Sequence, residues 1–279
     1  MTIYYPPRRD KSLGYRYAVK PVYILDALSV SASAAYSTRL LRANNDCPCL
    51  RLVRASDSAE LDIWWHNGWI DVSAVATFLA ATTCVVSWWY DQTGNGRHTS
   101  QTTAANRPDY VASSINSLPG LYFDGTDYLS LPAAIGFAAG TAYTQMYVGK
   151  KDDGDKLLVC FGGAGATYGS LMAANIASGE TYDSGDGAGV SYNPGDITTA
   201  SIVGSKRTTG NAVTHYLNAG SNATGTLAAT VSVGYIGQRA TVSGLCTGHI
   251  SEAILFASAL SNADRRMLRD NMNAVYACY

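Results

Sequence analysis

From Cys84 to Ser258 the chain keeps one rhythm, in which short runs of β-branched and aromatic residues are cut by Gly, Asn, Asp and Ser. CVVSWWY (84 to 90), LYFDGTDYLSL (121 to 131), KLLVCFG (156 to 162), GSLMAAN (169 to 175), ITTASIVGS (197 to 205), AVTHYLNAG (212 to 220), VSVGYIG (231 to 237) and GHISEAILFAS (248 to 258) follow one another this way. Such runs favour a pleated, half-buried backbone, and the short spacing of the turns favours two packed sheets. With 27 Gly and 19 Tyr in 279 residues, and a hydrophobic content of 47%, the chain can bury one large core. The expected fold is all-β, a concanavalin A-like jelly-roll β-sandwich with a few short helices.

The upstream third is more mixed. SASAAYSTRLLRA (31 to 43) places Ala35, Tyr36, Leu40 and Leu41 near one face of a short helix, and VSAVATFLA (72 to 80) adds a further one or two helical turns. Between them, CLRLVR (49 to 54) and ELDIWW (60 to 65) flank a Ser/Asp turn and predict a hairpin. Asp124-Gly125 predicts a turn between two strands. At the other end, Ser261 and Asp264 have capping-box-like spacing, and Leu268, Met272 and Val275 recur on one face, which predicts a single C-terminal amphipathic helix. No linker divides the chain. Its expected organisation is a basic N-terminal arm over residues 1–24 and the sandwich over 25–279.

Charge is uneven. Arg8, Arg9, Lys11, Arg16 and Lys20 against Asp10 give the first twenty residues a charge of +4, while the whole chain carries -1. The net charge provides no overall field for nucleic acid. The arm, with Arg8, Arg9, Lys11 and Arg16, is expected to dock on a partner protein, and the dull alternative is a frayed terminus. No apolar run approaches the ~20 residues that span a bilayer, and MTIYYPPRRDKSLG lacks the order of a signal peptide. Cys47, Cys49, Cys84, Cys160, Cys246 and Cys278 are expected to remain thiols, because Cys47-Pro48-Cys49 is too tight for an easy disulfide and no Cys/His cluster completes a metal site. No cofactor or metal is expected.

WWYDQTGNGRHTSQTTAANRP (88 to 108) sets Asp91 beside aromatic residues, as an active-site loop does. Asp91 is nevertheless read as an Asx-type turn residue, with Asn95-Gly96 completing the bend. In Trp64-Trp65 and Trp88-Trp89, one ring of each pair should enter the core and the other should face outward. Trp69 follows a turn in HNGWID and is expected to be the most accessible of the five tryptophans. Trp65, Trp69 and Tyr182 are the candidate glycan contacts, since an outward aromatic ring can stack on a sugar.

WYDQTGNGRHTSQTTAANRP (89 to 108), LYFDGTDYL (121 to 129) and GHISEAILFASALSNADRRMLRDNMNAVY (248 to 276) resemble the sandwich of laminin-G-type modules. With AAYSTRLLR (34 to 42) and FLAATTCVVSWWYDQTGNG (78 to 96), they more closely resemble the catalytic domain of the arabinofuranosidase B family over most of residues 26 to 278. The resemblance implies a retaining glycoside hydrolase, whose chemistry takes two carboxyl groups ~5 Å apart. By hand alignment, however, Ala173 stands where the family carries its nucleophilic Glu. The strand end that precedes the family's acid/base Asp reads Gly234-Tyr235-Ile236-Gly237-Gln238-Arg239. A lone Cys160 replaces the family's adjacent cysteine pair, and Leu79 stands where a further cysteine is expected. Both carboxylates are thus missing, and Glu180, Asp183 and Asp186 are the substitutes.

The resemblance extends to modules of bacteriophage virion proteins. The expectation is a non-enzymatic virion structural or adhesion protein, such as a capsid decoration, head fibre or tail fibre, made in the host cytoplasm. Its partners would be other virion proteins, reached through the arm, and bacterial surface glycans, and it would assemble as a homo-oligomer with neither nucleic acid nor a membrane span. The alternative is an α-L-arabinofuranosidase-like hydrolase with relocated carboxylates.

Overall fold

The computed structural model describes residues 23–152, 160–163, 181–185, 188–192, 197–238 and 246–279. The candidates Arg8, Arg9, Lys11, Arg16, Glu180 and Asp186, and also Ala173 and Arg239, lie outside the described residues. Tyr182 and Asp183 lie in a described strand, but their side chains are outside it.

The upstream part runs α1 (Ile24–Ala27), β1 (Ala34–Ser37), β2 (Leu50–Arg54), β3 (Glu60–Ile63), β4 (Trp65–His66), β5 (Trp69–Ile70) and α2 (Val72–Leu79). β6 (Cys84–Trp89), β7 (Thr99–Ser100), β8 (Asp109–Ile115), β9 (Leu118–Asp124), β10 (Leu129–Phe137) and β11 (Tyr143–Lys151) form the middle. β12 (Phe161–Gly162), β13 (Thr181–Gly185), β14 (Ala188–Tyr192), β15 (Ser201–Arg207), β16 (Ala212–Leu217), β17 (Gly220–Thr226), β18 (Val231–Ile236), β19 (Thr247–Phe256) and α3 (Asn262–Tyr276) complete the chain.

The strands curl into an all-β jelly-roll sandwich in the order β12-β18-β10-β7-β6-β8-β9-β19-β11-β15-β16-β17, with β1 on β19 and β2 between β6 and β3. Every pairing is antiparallel. Alternate residues of these strands, among them Leu52, Val86, Trp89, Leu121, Phe123, Tyr147, Val203, Val233 and Ile250, fill the central core. A second apolar cluster lies on the opposite face of β11, β15 and β19. There Met146, Val148, Ile202, Ile254 and Phe256 meet Leu268, Met272 and Tyr276 of α3 and Ile24 of α1.

α3 is the expected C-terminal helix. Ser261 Oγ accepts from Asp264 N at 3.0 Å, and Ser29 Oγ donates to Asp264 Oδ2 at 2.6 Å, so the cap of α3 also fixes the chain beyond α1. α2 forms as expected, capped by Asp71 Oδ1, which accepts from Ser73 N and Ala74 N at 3.0 Å each. The predicted β2–β3 hairpin forms in the register Leu50↔Ile63 to Val53↔Glu60.

The stretch 31–43 departs from the expected helix. Ala34–Ser37 is a strand, buried along its whole length and paired with β19 from Ala34↔Leu255 to Ser37↔Glu252. Ala34 and Tyr36 face the central core while Ala35 faces the second cluster. Two buried faces erase the alternation that marks a strand, and the residual apolar spacing imitates a helix. The two strands flanking Asp124-Gly125 also form, but β9 pairs with β8 and β19, whereas β10 pairs with β7 and β18. The turn at Gly125, with φ +99°, therefore carries the chain from one layer to the other instead of closing a hairpin.

Arg207 is fully buried. Its guanidinium donates to the carbonyls of Ala229, Ala138 and Phe137 at 2.6, 2.8 and 3.1 Å, its Nε donates to Thr141 O at 2.9 Å, and it lies 4.8 Å from the centre of the Tyr143 ring. It thereby ties the turn after β10 to the segment before β18 through their carbonyls.

Candidate functional site

Asp91 follows the last residues of β6 and is buried. Its Oδ1 accepts from Ala35 N and Thr93 N, both at 3.0 Å. Its Oδ2 accepts from Thr93 Oγ1 at 2.7 Å and Arg97 N at 3.2 Å. Gln92 beside it accepts from Leu41 N at 2.8 Å and donates to Arg39 O at 2.9 Å and Ser37 O at 3.2 Å. The Asx-type turn expected at Asp91 is present, and the carboxylate has its lone pairs committed to three backbone N–H groups and the Thr93 hydroxyl. Asp91 and Gln92 staple β1 to β6. His98 joins in by accepting from Asp91 N through Nδ1 at 3.0 Å.

A different group of polar residues gathers at the end of β18, around Gly237 and Gln238. Gly237 adopts φ +88°, a left-handed conformation suited to glycine, and is clamped by hydrogen bonds from Gly237 N to Cys160 O at 3.2 Å and from Cys246 N to Gly237 O at 2.8 Å. A side chain at Gly237 would overlap the Phe123 ring and stand 3.2 Å from Asp127 O, so β18 and the β9–β10 turn touch here. Gln238 is buried, and its Oε1 has no hydrogen-bond partner among the described residues. Tyr128 and Tyr235 meet edge to face at 5.7 Å.

Asp127, in that same turn, was not singled out by sequence reasoning. Only 5% of it is exposed, and Oδ2 accepts from Asp124 N at 3.0 Å. Burial pushes its carboxyl up to about 7, with the nearby Asp124 charge adding to the effect. Asp124 is exposed. Partial burial opposes its charge, but donors from Thr126 N and Oγ1, both at 2.7 Å, hold its carboxyl below the usual range. Two carboxyls with pKa values driven apart are the mark of acid/base chemistry. Asp127 and Asp124 also share a hydrogen bond, which sets them too close together to flank a sugar ring. Of the two, Asp127 alone keeps its proton toward neutral pH. The signal available in FDGTDYL was its second acid, one turn after Asp124-Gly125.

The proposed aromatic contacts sort differently from expectation. Trp69 is half-buried, while Trp64, at 51% exposed, is the most accessible tryptophan. Trp69 is drawn inward because β5 pairs with β4, as Trp69↔His66, and Arg39 bridges to Trp69 from the other side. Trp65 is half-buried against the central core and donates from Nε1 to Cys47 O at 2.8 Å. Its neighbour Trp64 must then point outward, as alternation requires. Trp89 enters the core and Trp88 faces out, stacked on Tyr90 at 5.9 Å with the Arg51 guanidinium 5.7 Å from its ring.

The six cysteines are free thiols. Burial raises the pKa of Cys47 to about 11 and those of Cys84 and Cys278 to about 12, and it holds Cys49 and Cys160 well above the usual thiol value; these are thiols held protonated, unlike activated nucleophiles. Among the described residues, no group of three or more His, Cys, Asp or Glu side chains could hold a metal ion, and no helix is long and apolar enough to cross a membrane.

These features define a β-sandwich whose layers are stapled at Asp91 and whose β18 strand end is clamped at Gly237. A family model described as alpha-L-arabinofuranosidase B, catalytic, matches residues 21–119. Among solved structures, an arabinofuranosidase complexed with arabinofuranosyl-α-1,2-xylobiose superposes with a TM-score of 0.70 at 18% identity. A GH54 α-L-arabinofuranosidase soaked with a cyclic sulfate inhibitor does so with a TM-score of 0.67 at 18% identity. In both comparisons the alignment covers 91% of this chain and 64% of the other. The chain thus spans less than two thirds of the length of those enzymes. No curated protein matches it. The sandwich shares its fold with those arabinofuranosidase structures.

Proposed function

We propose that the chain is a carbohydrate-recognising sandwich built on the arabinofuranosidase B scaffold, which binds glycans without cleaving glycosidic bonds. One observation carries this reading: the strand end that would present the acid/base carboxylate ends instead in Gln238, a buried amide with no proton to give. The stretch matched by the family model, 21–119, contains the Asp91 staple and stops before that strand end. In this reading the module serves as a virion structural or adhesion element, attached through Arg8, Arg9, Lys11 and Arg16. The support for that placement is the sequence resemblance and the basic arm.

The discriminating experiment is turnover of a panel of aryl arabinofuranosides, read beside binding of the same chain to a glycan array. Binding without turnover supports the proposal, and glycosidase turnover sinks it. Asp127 favours a second reading, a hydrolase with relocated carboxylates, because a proton donor held near neutral pH stands against Gly237. In that case Asp127→Asn abolishes turnover, and the partner carboxylate is sought among Glu180, Asp183 and Asp186. Deleting residues 1–20 should leave thermal unfolding nearly unchanged while abolishing assembly with the partner; a chain that fails to fold would rule out the docking role.

A further inference from the structure

Among the described residues, the second half of β10 is paired on one side only. Ile135, Gly136 and Phe137 lie in register with Val233, Ser232 and Val231 of β18, whereas on its other side β10 meets β7 at Ser130 alone. The unpaired stretch borders a groove of about 480 Å³, which Ser33, just before β1, and Ala257, just after β19, also line. Small-molecule sites usually measure about 300–1,000 Å³, so a sugar ring fits a space of this size.

The groove is open because the side chains along it are small. Ile135 and Phe137 point into the central core, so Ala134 and Gly136 face outward, and both are exposed. Ala142 and Ala257 add two more methyl groups to the lining. A Cβ built at Gly136 meets nothing within 4 Å, and the backbone there is not left-handed. A larger residue at this position would therefore enter the groove without straining the strand.

One charged side chain lies in this lining. Arg97 donates from NH1 to Ser33 O at 2.8 Å, which fixes the half-buried guanidinium beside the groove. Elsewhere in the chain, Arg39, Arg51 and Arg54 each direct the other edge of the guanidinium, Nε and NH2, at both oxygens of a carboxylate, those of Glu252, Asp62 and Asp57. The same edge of Arg97 has no hydrogen bond and no carboxylate within ion-pair distance among the described residues. Asp91 accepts from its backbone N–H instead, and no other residue lining the groove is charged. Ser33 Oγ accepts from Ala257 N at 3.0 Å and keeps its own proton to donate.

We propose that this groove binds a hexuronic acid unit of a glycan, with the Nε/NH2 edge of Arg97 holding the two carboxylate oxygens and Ser33 Oγ donating to a sugar oxygen. The inference rests on the glycan-binding reading above and names the class of sugar. A guanidinium edge matches a planar carboxylate in shape, and one cation balances its single charge. A phosphate dianion would find no second cation in the lining. The unpaired side of β10 offers backbone N–H and C=O groups to hydroxyls, while the methyl groups of Ala134, Ala142 and Ala257 cover the C–H face of the ring.

The test is isothermal titration of the full chain with tetragalacturonic acid, with the neutral galactose tetramer made by reducing its carboxyls, and with a tetraglutamate peptide. The expected result is binding of the uronate alone. Arg97→Met should raise its Kd about 10-fold or more, the loss expected for a hydrogen bond to a charged group. Gly136→Val should weaken it comparably by filling the groove, and this variant keeps the test decisive if Arg97→Met fails to fold. Arg97→Lys, which retains the charge without the paired donors, should fall between Arg97→Met and wild type. Equal binding of the uronate and its reduced form, uronate binding that survives both Arg97→Met and Gly136→Val, or preference for the peptide overturns the inference. A chain that binds neutral glycans but no uronate sinks this inference alone, whereas a glycan array left blank, uronates included, sinks the glycan-binding reading itself.

Discussion

Asp91 holds Ala35 across the sandwich, its Oδ1 accepting the Ala35 N–H at 3.0 Å although 56 residues separate the two. The same carboxylate serves Thr93 N, Thr93 Oγ1 and Arg97 N. Each buried donor stripped of its acceptor costs about 1–3 kcal/mol. Asp91→Ala should therefore destabilise the fold by about 3 kcal/mol or more, lowering Tm by roughly 6–12 °C. Asp91→Asn keeps one oxygen and should lose less. A melting curve of Asp91→Ala that matches wild type would dismiss the staple.

Arg39 and Glu252 form a bidentate pair within the second core, Nε to Oε2 at 2.7 Å and NH2 to Oε1 at 2.8 Å. Ser37 Oγ at 3.0 Å and Tyr276 OH at 3.3 Å complete the carboxylate's shell, so one ion pair links β1, β19 and α3. Arg39→Met leaves Glu252 buried and uncompensated, for an expected loss of about 3–5 kcal/mol in urea unfolding. Arg39→Met combined with Glu252→Leu should recover much of that loss. A double variant no better than the single one would show that the pair's geometry, and not the stranded charge, matters.

What the sequence made legible was the half-buried structure. β2, β3, β6, β16, β18 and β19 carry turn-bounded β-branched runs, and α3 announces itself through Ser261, Asp264 and its apolar spacing. β1 was misread as helix because Ala34, Ala35, Tyr36 and Ser37 are all buried, and a strand covered on both sides has no polar phase to reveal its period. Trp69 and Trp64 exchanged places because the pairing of β4 with β5, and the bridge from Arg39, are contacts between segments that local spacing does not encode. Asp127 was missed for a related reason. Its altered acidity comes from burial beneath β18, more than 100 residues on, whereas Asp91 could be read correctly because part of its role is a turn with Thr93 two residues away.

Gly237 separates backbone strain from collision. Gly237 at φ +88° and Gly68 at φ +82° share the left-handed conformation, but an added methyl group meets the Phe123 ring at the first and nothing within 4 Å at the second. Gly68→Ala should cost about 1 kcal/mol, from strain alone. Gly237→Ala should cost about 2–4 kcal/mol, since overpacking is added. Denaturant midpoints with unchanged m-values measure both, and equal losses would mean that Phe123 yields without cost.

Asp127 makes the stability depend on pH in a direction opposite to that of a salt-bridged carboxylate. Its folded pKa, about 7, lies above the unfolded value near 3.9. Below pH 4 both states hold the proton. Between about 4 and about 7 the folded state retains a proton that the unfolded state releases, so this group's contribution falls as pH rises and is fully lost above 7. Asp127→Asn removes that penalty while keeping an oxygen for Asp124 N. The variant should therefore melt higher than wild type at pH 8, with the gain disappearing toward pH 4. If the gain instead grows on acidification, Asp127 is ionised in the folded chain and could not serve as a proton donor against Gly237. Read beside the turnover assay, this measurement distinguishes a retained acid from a buried carboxyl that only caps the β9–β10 turn.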